Sequence, residues 1–296
     1  MDISLPCISC MIAKTVRQLQ EYPPETARKC LNEVLAMMSQ LEPGTTAPLA
    51  DFRKEAIIRK YFPKTENLSG VKQHYNQKMM ELLPQLREQT AKAADPLALA
   101  IALAIAGNYI DFGTMDRVEE DQLDHLLEEA SSVILPAQAL TAFKAELAVS
   151  GNVVYLHDNC GEIVLDKLLL EQMDAFDVKV TSIVRGAPVI NDATVEDAAF
   201  CGIDAIGNGS SIAGTDLKLI GEEAAKAIRE ADMIISKGQA NFETLYGNGL
   251  PVWYLFLCKC DYFSSRFGLE KFKPVFAHEN QIGQILRRRK ECQIDD

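Results

Sequence analysis

The pattern of the chain changes near Gly151, and this change constrains the fold more than any other feature of the sequence. Beyond it, short apolar runs alternate with segments of helical periodicity. Such alternation indicates βαβ units and a mostly parallel sheet. We therefore expect an α/β fold whose core has three layers, α/β/α, around a Rossmann-like sheet. The predicted strands are residues 153–156, 178–184, 205–207, 233–236, 252–257 and 275–276, and helices are predicted at 163–173 and 219–230.

The first part of the chain is predicted to be helical. Between residues 11 and 94 apolar side chains recur at helical spacing, and no convincing strand occurs before residue 153. Residues 97–106 are apolar on every side, which is typical of a buried helix. We expect an all-helical N-terminal domain at residues 1–95, followed by the α/β/α core at residues 96–296.

Charge and composition exclude several classes of partner. The 296 residues carry a formal net charge of −12, whereas nucleic acids and anionic membranes call for a basic surface. The basic run at residues 287–290 is local and is interpreted as a solvated helix end. No secretory signal opens the chain, and the most apolar window, residues 97–106, is shorter than the roughly 20 residues that span a bilayer. We expect a cytoplasmic protein without nucleic-acid or membrane partners.

Two polar segments follow apolar runs at points where strands should end. Asp158 and Asn159 come soon after the strand at residues 153–156, and Asp192 follows the apolar run 188–190. In an open α/β sheet, ligands bind outside the carboxyl ends of the strands. Carboxylate and amide oxygens suit a hard ion such as Mg²⁺ or Mn²⁺. These three residues are therefore candidate metal ligands.

Further polar residues are expected at the same edge of the sheet. Glu162 begins a helix whose positive end favours an anion such as phosphate, and Lys237 could neutralise a phosphate oxygen. Asn108, Asp111 and Asn241 are candidates for substrate contact. Taken alone, Asp158 and Asn159 are explained about equally well as a helix N-cap, and Asp192 with its preceding asparagine about equally well as an Asx turn. Lys237 alone is a weak signal, because a lysine beside a turn glycine is usually solvated. The order of the clusters along the chain is more specific than any one of them.

This order resembles the signature blocks of the damage-control phosphatases, an ARMT-like family formerly catalogued as domain of unknown function eighty-nine. The matching blocks are DNCGE at residues 158–162, RGAPVIND at 185–192 and KGQANFE at 237–243. The similarity extends to GNYID at 107–111 and to CISC at 7–10, so it covers nearly the whole chain. The opening cysteines are similar to those of the cysteine-containing prokaryotic branch.

The resemblance implies a metal-dependent phosphomonoester hydrolase that acts on sugar phosphates or damaged phosphometabolites. The family's metal ligands match Asp158, Asn159 and Asp192, its phosphate-binding lysine matches Lys237, and these four form the implied catalytic set. The implied cofactor is a divalent ion: Mn²⁺, Mg²⁺, Co²⁺ or Ni²⁺. Asp158 is either a ligand alone or also the nucleophile that attacks phosphorus. Phosphatases of the haloacid dehalogenase type carry Asp-x-Asp-Gly, and residues 158–161 lack the second Asp.

Two other functions remain as alternatives. Relatives in this family have also been proposed to be carboxyl methyltransferases that use S-adenosylmethionine. Residues 158–162 lack the G-x-G-x-x-G pattern of a nucleotide loop, which weakens that alternative. The third function is a protein that binds metal or metabolite without turnover. The residues do not determine the substrate or the oligomeric state.

Four of the eight cysteines are candidates for a second, soft-metal site. Cys7 and Cys10 have the C-x₂-C spacing of a zinc half-site, and Cys258 and Cys260 follow a predicted strand. Together they could hold a structural Zn²⁺ that fastens the N-terminus to the core. Unligated thiols are an equally good interpretation.

Overall fold

The structure is a computed structural model that describes residues 1–63, 69–109 and 122–292. The described residues contain thirteen α-helices and six β-strands. The helices are α1 (Leu5–Leu19), α2 (Pro24–Ser39), α3 (Ala47–Tyr61), α4 (Ser69–Lys92), α5 (Pro96–Ala106), α6 (Gln122–Ser132), α7 (Ala137–Leu147), α8 (Glu162–Met173), α9 (Val195–Phe200), α10 (Glu222–Arg229), α11 (Gln239–Leu245), α12 (Asp261–Phe267) and α13 (Glu279–Cys292).

One six-stranded sheet forms the centre of the molecule. Its strands are β1 (Asn152–Leu156), β2 (Lys179–Val184), β3 (Ala205–Gly207), β4 (Met233–Lys237), β5 (Val252–Leu257) and β6 (Pro274–His278). The order across the sheet is β3-β2-β1-β4-β5-β6. The first five strands are parallel to their neighbours, and β6 is antiparallel to β5. The predicted α/β fold with a mostly parallel sheet is confirmed.

Apolar side chains on both faces of the sheet explain the three layers. Along β1, Val153 and Tyr155 belong to one apolar cluster, whereas Val154 and Leu156 belong to a second. Helices α5 and α8 cover the first face, and α10, α11 and α12 cover the second. Strands covered on both faces need apolar residues throughout, and every residue of β5 is buried.

The N-terminal helices do not all pack in the same way. Helices α1, α2 and α3 surround a small apolar cluster that includes Leu19, Val34 and Ile58. Helix α4 instead contributes Met79 and Leu83 to the core beneath the sheet. Among the described residues no strand precedes β1, as predicted. The division of the chain at residue 95 stays a prediction, and α4 shares its core with the sheet.

Three short helices near the strand ends are not predicted by the sequence pattern. Helices α9, α11 and α12 have only six or seven residues each, which is too short to show a helical period. Helix α11 begins directly after Gly238, so it shapes the crevice at the end of β4. In the part of the chain that the structure describes, no helix combines the length and apolar character needed to cross a membrane.

Candidate active site

Polar residues end three neighbouring strands of the sheet. β1 lies between β2 and β4, and the strand order reverses at this point. Asp158 comes just after β1, Arg185 follows β2, and Lys237 is the last residue of β4. Ligands bind at such a reversal in open parallel sheets because the loops diverge there and leave a crevice. The candidate site therefore lies where the fold class predicts it.

Asp158 and Asp192 come together because their two segments run side by side. Asn159 pairs with Asp192 in an antiparallel bridge, and the Ala193 N–H donates to the Asp158 carbonyl (2.8 Å). Both aspartates are buried, with 8% and 6% of their surfaces exposed. The structure thus places all three predicted metal ligands in one crevice.

Arg185 joins the two carboxylates. Its Nε donates to Asp192 Oδ2 (2.5 Å), and its Nη2 lies 3.6 Å from Asp158 Oδ1. The arginine is buried, and Nη2 has no hydrogen-bond partner among the described residues. A buried N–H group without a partner is costly because it loses its bonds to water without replacement. The guanidinium is therefore a candidate for binding an anion.

Lys237 is fully enclosed beneath these groups. Its Nζ donates to Glu162 Oε1 (2.5 Å) and to Asp166 Oδ1 (2.7 Å). Burial lowers the pKa of Lys237, but the Asp166 and Glu162 carboxylates outweigh burial and hold the pKa above its usual value. The expected contact between Lys237 and a substrate phosphate stays a prediction. The ammonium is neutralised by two carboxylates, and none of the residue is exposed.

Two amides hold the carboxylates of Asp158 and Glu162. Asn108 Nδ2 donates to Glu162 Oε2 (2.8 Å) and to Asp158 Oδ2 (3.3 Å). Asn159 Nδ2 donates to the same two oxygens, at 3.0 Å and 2.8 Å. Asn108 Oδ1 is buried and has no hydrogen-bond partner within the described ranges. Asp111, which is predicted to contact the substrate, lies outside the described residues.

Asn241 bonds both the backbone and the arginine of the crevice, because its Oδ1 accepts from Arg185 Nη1 (3.4 Å). Its Nδ2 donates to the carbonyls of Lys237 (2.8 Å) and His157 (3.2 Å), and its Oδ1 accepts from Thr215 Oγ1 (2.8 Å). The residue has no exposed surface. The side chain fixes the ends of β1 and β4 relative to each other, and its substrate contact stays a prediction.

The site carries an excess of two negative charges. Only two cations, Arg185 and Lys237, are paired with four buried carboxylates. The carboxylates are Asp158, Glu162, Asp166 and Asp192. Burial, reinforced by the neighbouring carboxylates, raises the pKa of Asp158 to about 7, and burial also raises the pKa of Asp192. A divalent cation would balance this charge, and carboxylate and amide oxygens are donors that Mg²⁺ and Mn²⁺ prefer. The residues present fit such an ion.

The chain is similar to damage-control phosphatases over most of its length. Residues 3–274 match the family model described as the damage-control phosphatase ARMT1-like domain. The chain belongs to the damage-control phosphatase family. A damage-control phosphatase of Archaeoglobus fulgidus is 31% identical over 273 residues, which cover 88% of this chain and 93% of that protein.

Two comparisons with one protein of Pyrococcus horikoshii, one by sequence and one by structure, agree with this membership. A damage-control phosphatase from that organism is 35% identical over 170 residues, which cover 55% of this chain and 58% of its own. A crystal structure of a protein of the domain-of-unknown-function-eighty-nine family from the same organism superposes with a TM-score of 0.78 at 25% identity, covering 94% of this chain and 99% of that one. The resemblance seen in the sequence blocks is confirmed. Family membership supports a phosphatase role in metabolite repair.

Asp166 and His157 pack against the candidate site but are not predicted from the sequence. Asp166 Oδ1 accepts from Tyr155 Oη (2.9 Å), and Asp166 Oδ2 lies 2.8 Å from His157 Nδ1. Asp166 comes four residues after Glu162 in α8. That spacing is the signal that the sequence offers, because residues four apart share one face of a helix.

The predicted zinc site at the cysteines has no support in the described residues. Cys258 is buried with its Sγ 3.5 Å from Ser264 Oγ, whereas Cys10 is exposed. Across the described ranges, no three or more His, Cys, Asp or Glu side chains are grouped so that they could hold a metal ion. The candidate ligands Asp158, Asn159 and Asp192 do not form such a group either, because Asn159 is not one of these four residue types. Zinc at Cys7, Cys10, Cys258 and Cys260 stays a prediction.

Metal binding at the strand-end site of this phosphatase is expected to strengthen as pH rises through about 7. The raised pKa of Asp158, about 7, means that a proton competes with metal for this carboxylate at lower pH. The half-saturating concentration of Mn²⁺ should fall about tenfold between about pH 6 and about pH 8 and then level off. Calorimetric titration across this range measures the dependence. A flat affinity, or tighter binding at the acidic end, would contradict the assignment of Asp158 as a ligand.

Proposed function

We propose that this protein is a metal-dependent phosphatase that hydrolyses small phosphorylated metabolites. The observation that carries the proposal is the pair of buried carboxylates, Asp158 and Asp192, beside an arginine whose Nη2 lacks a hydrogen-bond partner among the described residues. A cation between the carboxylates and an anion against Arg185 would satisfy all of these groups. A phosphate ester together with a divalent metal supplies that combination.

Asp158, Asn159 and Asp192 are the proposed metal ligands. Asp192 uses Oδ2 to accept from Arg185, so Oδ1 is the oxygen proposed to bind the metal. Asn159 turns its amide N–H groups toward Asp158 and Glu162, which makes its Oδ1 available as a donor to metal. When bound, a divalent ion polarises a phosphoryl oxygen and offsets the charge that develops on it.

Arg185 is proposed to bind the phosphoryl group in place of Lys237. Asp192 fixes the Arg185 Nε, so the direction of the Nη2 edge is set before substrate arrives. A planar guanidinium binds phosphate oxygens through two N–H groups at once. Lys237 has a different proposed role, because its bond to Glu162 orients that carboxylate under the crevice.

The remainder of the substrate is proposed to occupy a cavity of about 1060 Å³ that Arg185 borders. Its walls include Arg59 and Phe62 from the N-terminal helices, and Ile190 and Phe200 from the segments that flank Asp192. The walls also include the carboxylates Glu55, Glu196 and Asp197. Arginine for the phosphate, with polar and apolar groups for the rest of the molecule, suits a small phosphorylated metabolite, such as a sugar phosphate or a damaged phosphometabolite.

Asp158 has two possible roles in phosphoryl transfer, and stereochemistry at phosphorus separates them. If Asp158 only holds the metal, water attacks phosphorus directly and the configuration inverts. If the Asp158 carboxylate attacks, an aspartyl-phosphate forms and a second displacement by water restores the configuration. A substrate with a chiral phosphoryl group therefore distinguishes the two roles.

The activity is tested by incubating the purified protein with a panel of sugar phosphates and damaged phosphometabolites. Each reaction contains Mn²⁺, Mg²⁺, Co²⁺, Ni²⁺ or a chelator. Phosphate release that requires metal is the expected result. Methyl transfer from S-adenosylmethionine without phosphate release would contradict the proposal in favour of a methyltransferase. Ligand binding without turnover in either assay would contradict it in favour of a binding protein.

Arg185→Lys is expected to weaken phosphate binding about 10- to 100-fold, because lysine keeps the charge but loses the second N–H contact. The measurement is the inhibition constant of inorganic phosphate, with KM of the substrate, at saturating metal. Arg229→Lys is the matched control, since Arg229 forms an exposed ion pair with Glu222. An unchanged inhibition constant in Arg185→Lys would exclude direct contact between Arg185 and phosphate.

A further inference from the structure

Asn76 on helix α4 is a buried polar residue at the wall of the proposed substrate cavity, and the proposed function gives it no contact with metal or substrate. Only 1% of its surface is exposed. Its Oδ1 accepts from the Gly161 N–H (2.6 Å), and its Nδ2 donates to Asp197 Oδ1 (2.8 Å). One amide therefore uses both of its polar atoms on two segments that are far from it in sequence.

Both hydrogen bonds of this amide reach segments that carry proposed metal ligands. Gly161 ends the turn at residues 158–161, directly before α8. Asp197 Oδ2 accepts from the Thr194 N–H (2.9 Å) and from Thr194 Oγ1 (2.8 Å), and so caps α9 just after Asp192. The amide thus bridges the turn after β1 and the segment that follows β2.

A second contact from α4 supports the bridge. Lys72, one turn before Asn76, forms an ion pair with Asp197 Oδ2 (2.5 Å), and both side chains are buried. Residues four apart lie on one face of a helix, so α4 presents an ammonium and an amide to one carboxylate. Charge-assisted hydrogen bonds are roughly twice as strong as neutral ones. The position of α4 is therefore coupled to the positions of both segments.

We propose that Asn76 is a positioning residue of the metal centre, an inference that rests on the proposed function. It fixes the spacing between the turn that carries Asp158 and the segment that carries Asp192. An amide is needed because one atom must accept from an N–H while another donates to a carboxylate. Helix α4, from the N-terminal helical part of the chain, then holds the two ligand-bearing segments in place.

Three variants change the bridge in different ways. Asn76→Ala removes both hydrogen bonds. Asn76→Asp keeps the acceptor for Gly161 but sets a second carboxylate against Asp197. The double variant Asn76→Asp/Asp197→Asn reverses the polarity of the contact and restores a donor opposite an acceptor. Met79→Ala is the matched control, because Met79 lies on the same helix and packs only in the apolar core.

Two measurements on the full-length protein separate positioning from stability. The half-saturating concentration of Mn²⁺ for turnover is expected to rise about 10- to 100-fold in both single variants, as it does when other partners of metal ligands are lost. Amide hydrogen exchange in the metal-free protein is expected to accelerate at residues 158–161 and 192–194. The double variant should return both quantities toward wild type, and Met79→Ala should lower only the melting temperature.

The proposal is overturned if both single variants keep the wild-type Mn²⁺ requirement and lose only stability, as Met79→Ala does. If Asn76→Asp does not fold, the comparison of Asn76→Ala with Met79→Ala decides alone. Failure of the proposed function has a separate signature, namely a wild-type protein without metal-dependent turnover. In that case unchanged exchange at both segments in Asn76→Ala would still refute the bridge, and faster exchange would support it.

Discussion

Asp192→Asn is expected to reduce metal-dependent phosphatase activity by about 10³-fold or more in kcat/KM. The substitution preserves the size of the side chain and an oxygen that can accept from Arg185 Nε, which Asp192 now binds at 2.5 Å. It removes one of the two carboxylates proposed to hold the metal. Loss of an outer partner of a metal ligand typically costs 10- to 100-fold, so loss of the ligand itself should cost more.

Steady-state kinetics over a Mn²⁺ titration, with thermal melting of the metal-free protein, measures this effect. Asp174→Asn is the matched control because it removes the same charge from an exposed position at the end of α8. The melting temperature of metal-free Asp192→Asn shows whether the fold is retained, because the amide leaves Arg185 with Asp158, 3.6 Å away, as its remaining charged partner. Full metal-dependent turnover in Asp192→Asn would show that the ligand assignment is wrong.

Gly238→Ala is expected to reduce turnover about 100-fold or more, by displacing Asp158. Gly238 has a φ of +80°, and a Cβ at this position would lie 2.0 Å from Asp158 Oδ2. The carboxylate has little room to move, because the amides of Asn108 and Asn159 donate to the same oxygen. A displacement of about 1 Å at a reacting group costs about 100-fold in rate.

Gly249→Ala separates this clash from ordinary backbone strain. Gly249 has a φ of +72°, and a Cβ there would meet nothing within 4 Å. Both glycines have a positive φ, so both substitutions should lower the melting temperature. Gly238→Ala should lower it more, because a φ of +80° with a ψ of 157° is adopted essentially only by glycine, and only Gly238→Ala should lose activity and metal affinity. Kinetics, Mn²⁺ titration and thermal melting of both proteins provide the comparison. Equal activity in the two variants would mean that turnover does not depend on the position of Asp158.

The sheet and the location of the site could be predicted because they depend on local patterns. β1, β4 and β5 are nearly continuous apolar runs, since helices cover both faces of the sheet. A polar residue at the end of such a run marks the edge where ligands bind. Asp158 was therefore recognisable from its position after β1, whereas the apolar run 188–190 before Asp192 is not a strand, and Asp192 lies in the segment that follows β2.

The partners of each polar side chain could not be predicted, because packing between distant elements determines them. Lys237 resembles a free cation beside a glycine, yet Glu162 and Asp166 on α8 enclose it. Asn76 lies in a helical segment with no local feature that distinguishes it from a surface asparagine. Arg185 stands within a recognisable sequence block, but only its distances to the two carboxylates indicate its role.

Anomalous diffraction from a crystal soaked with Mn²⁺ is the most direct test of a metal held jointly by residues from two strand ends. We expect one strong peak about 2.1 Å from side-chain oxygens of Asp158, Asn159 and Asp192. Manganese bound elsewhere, or a crevice without a peak under conditions that support turnover, would contradict the account.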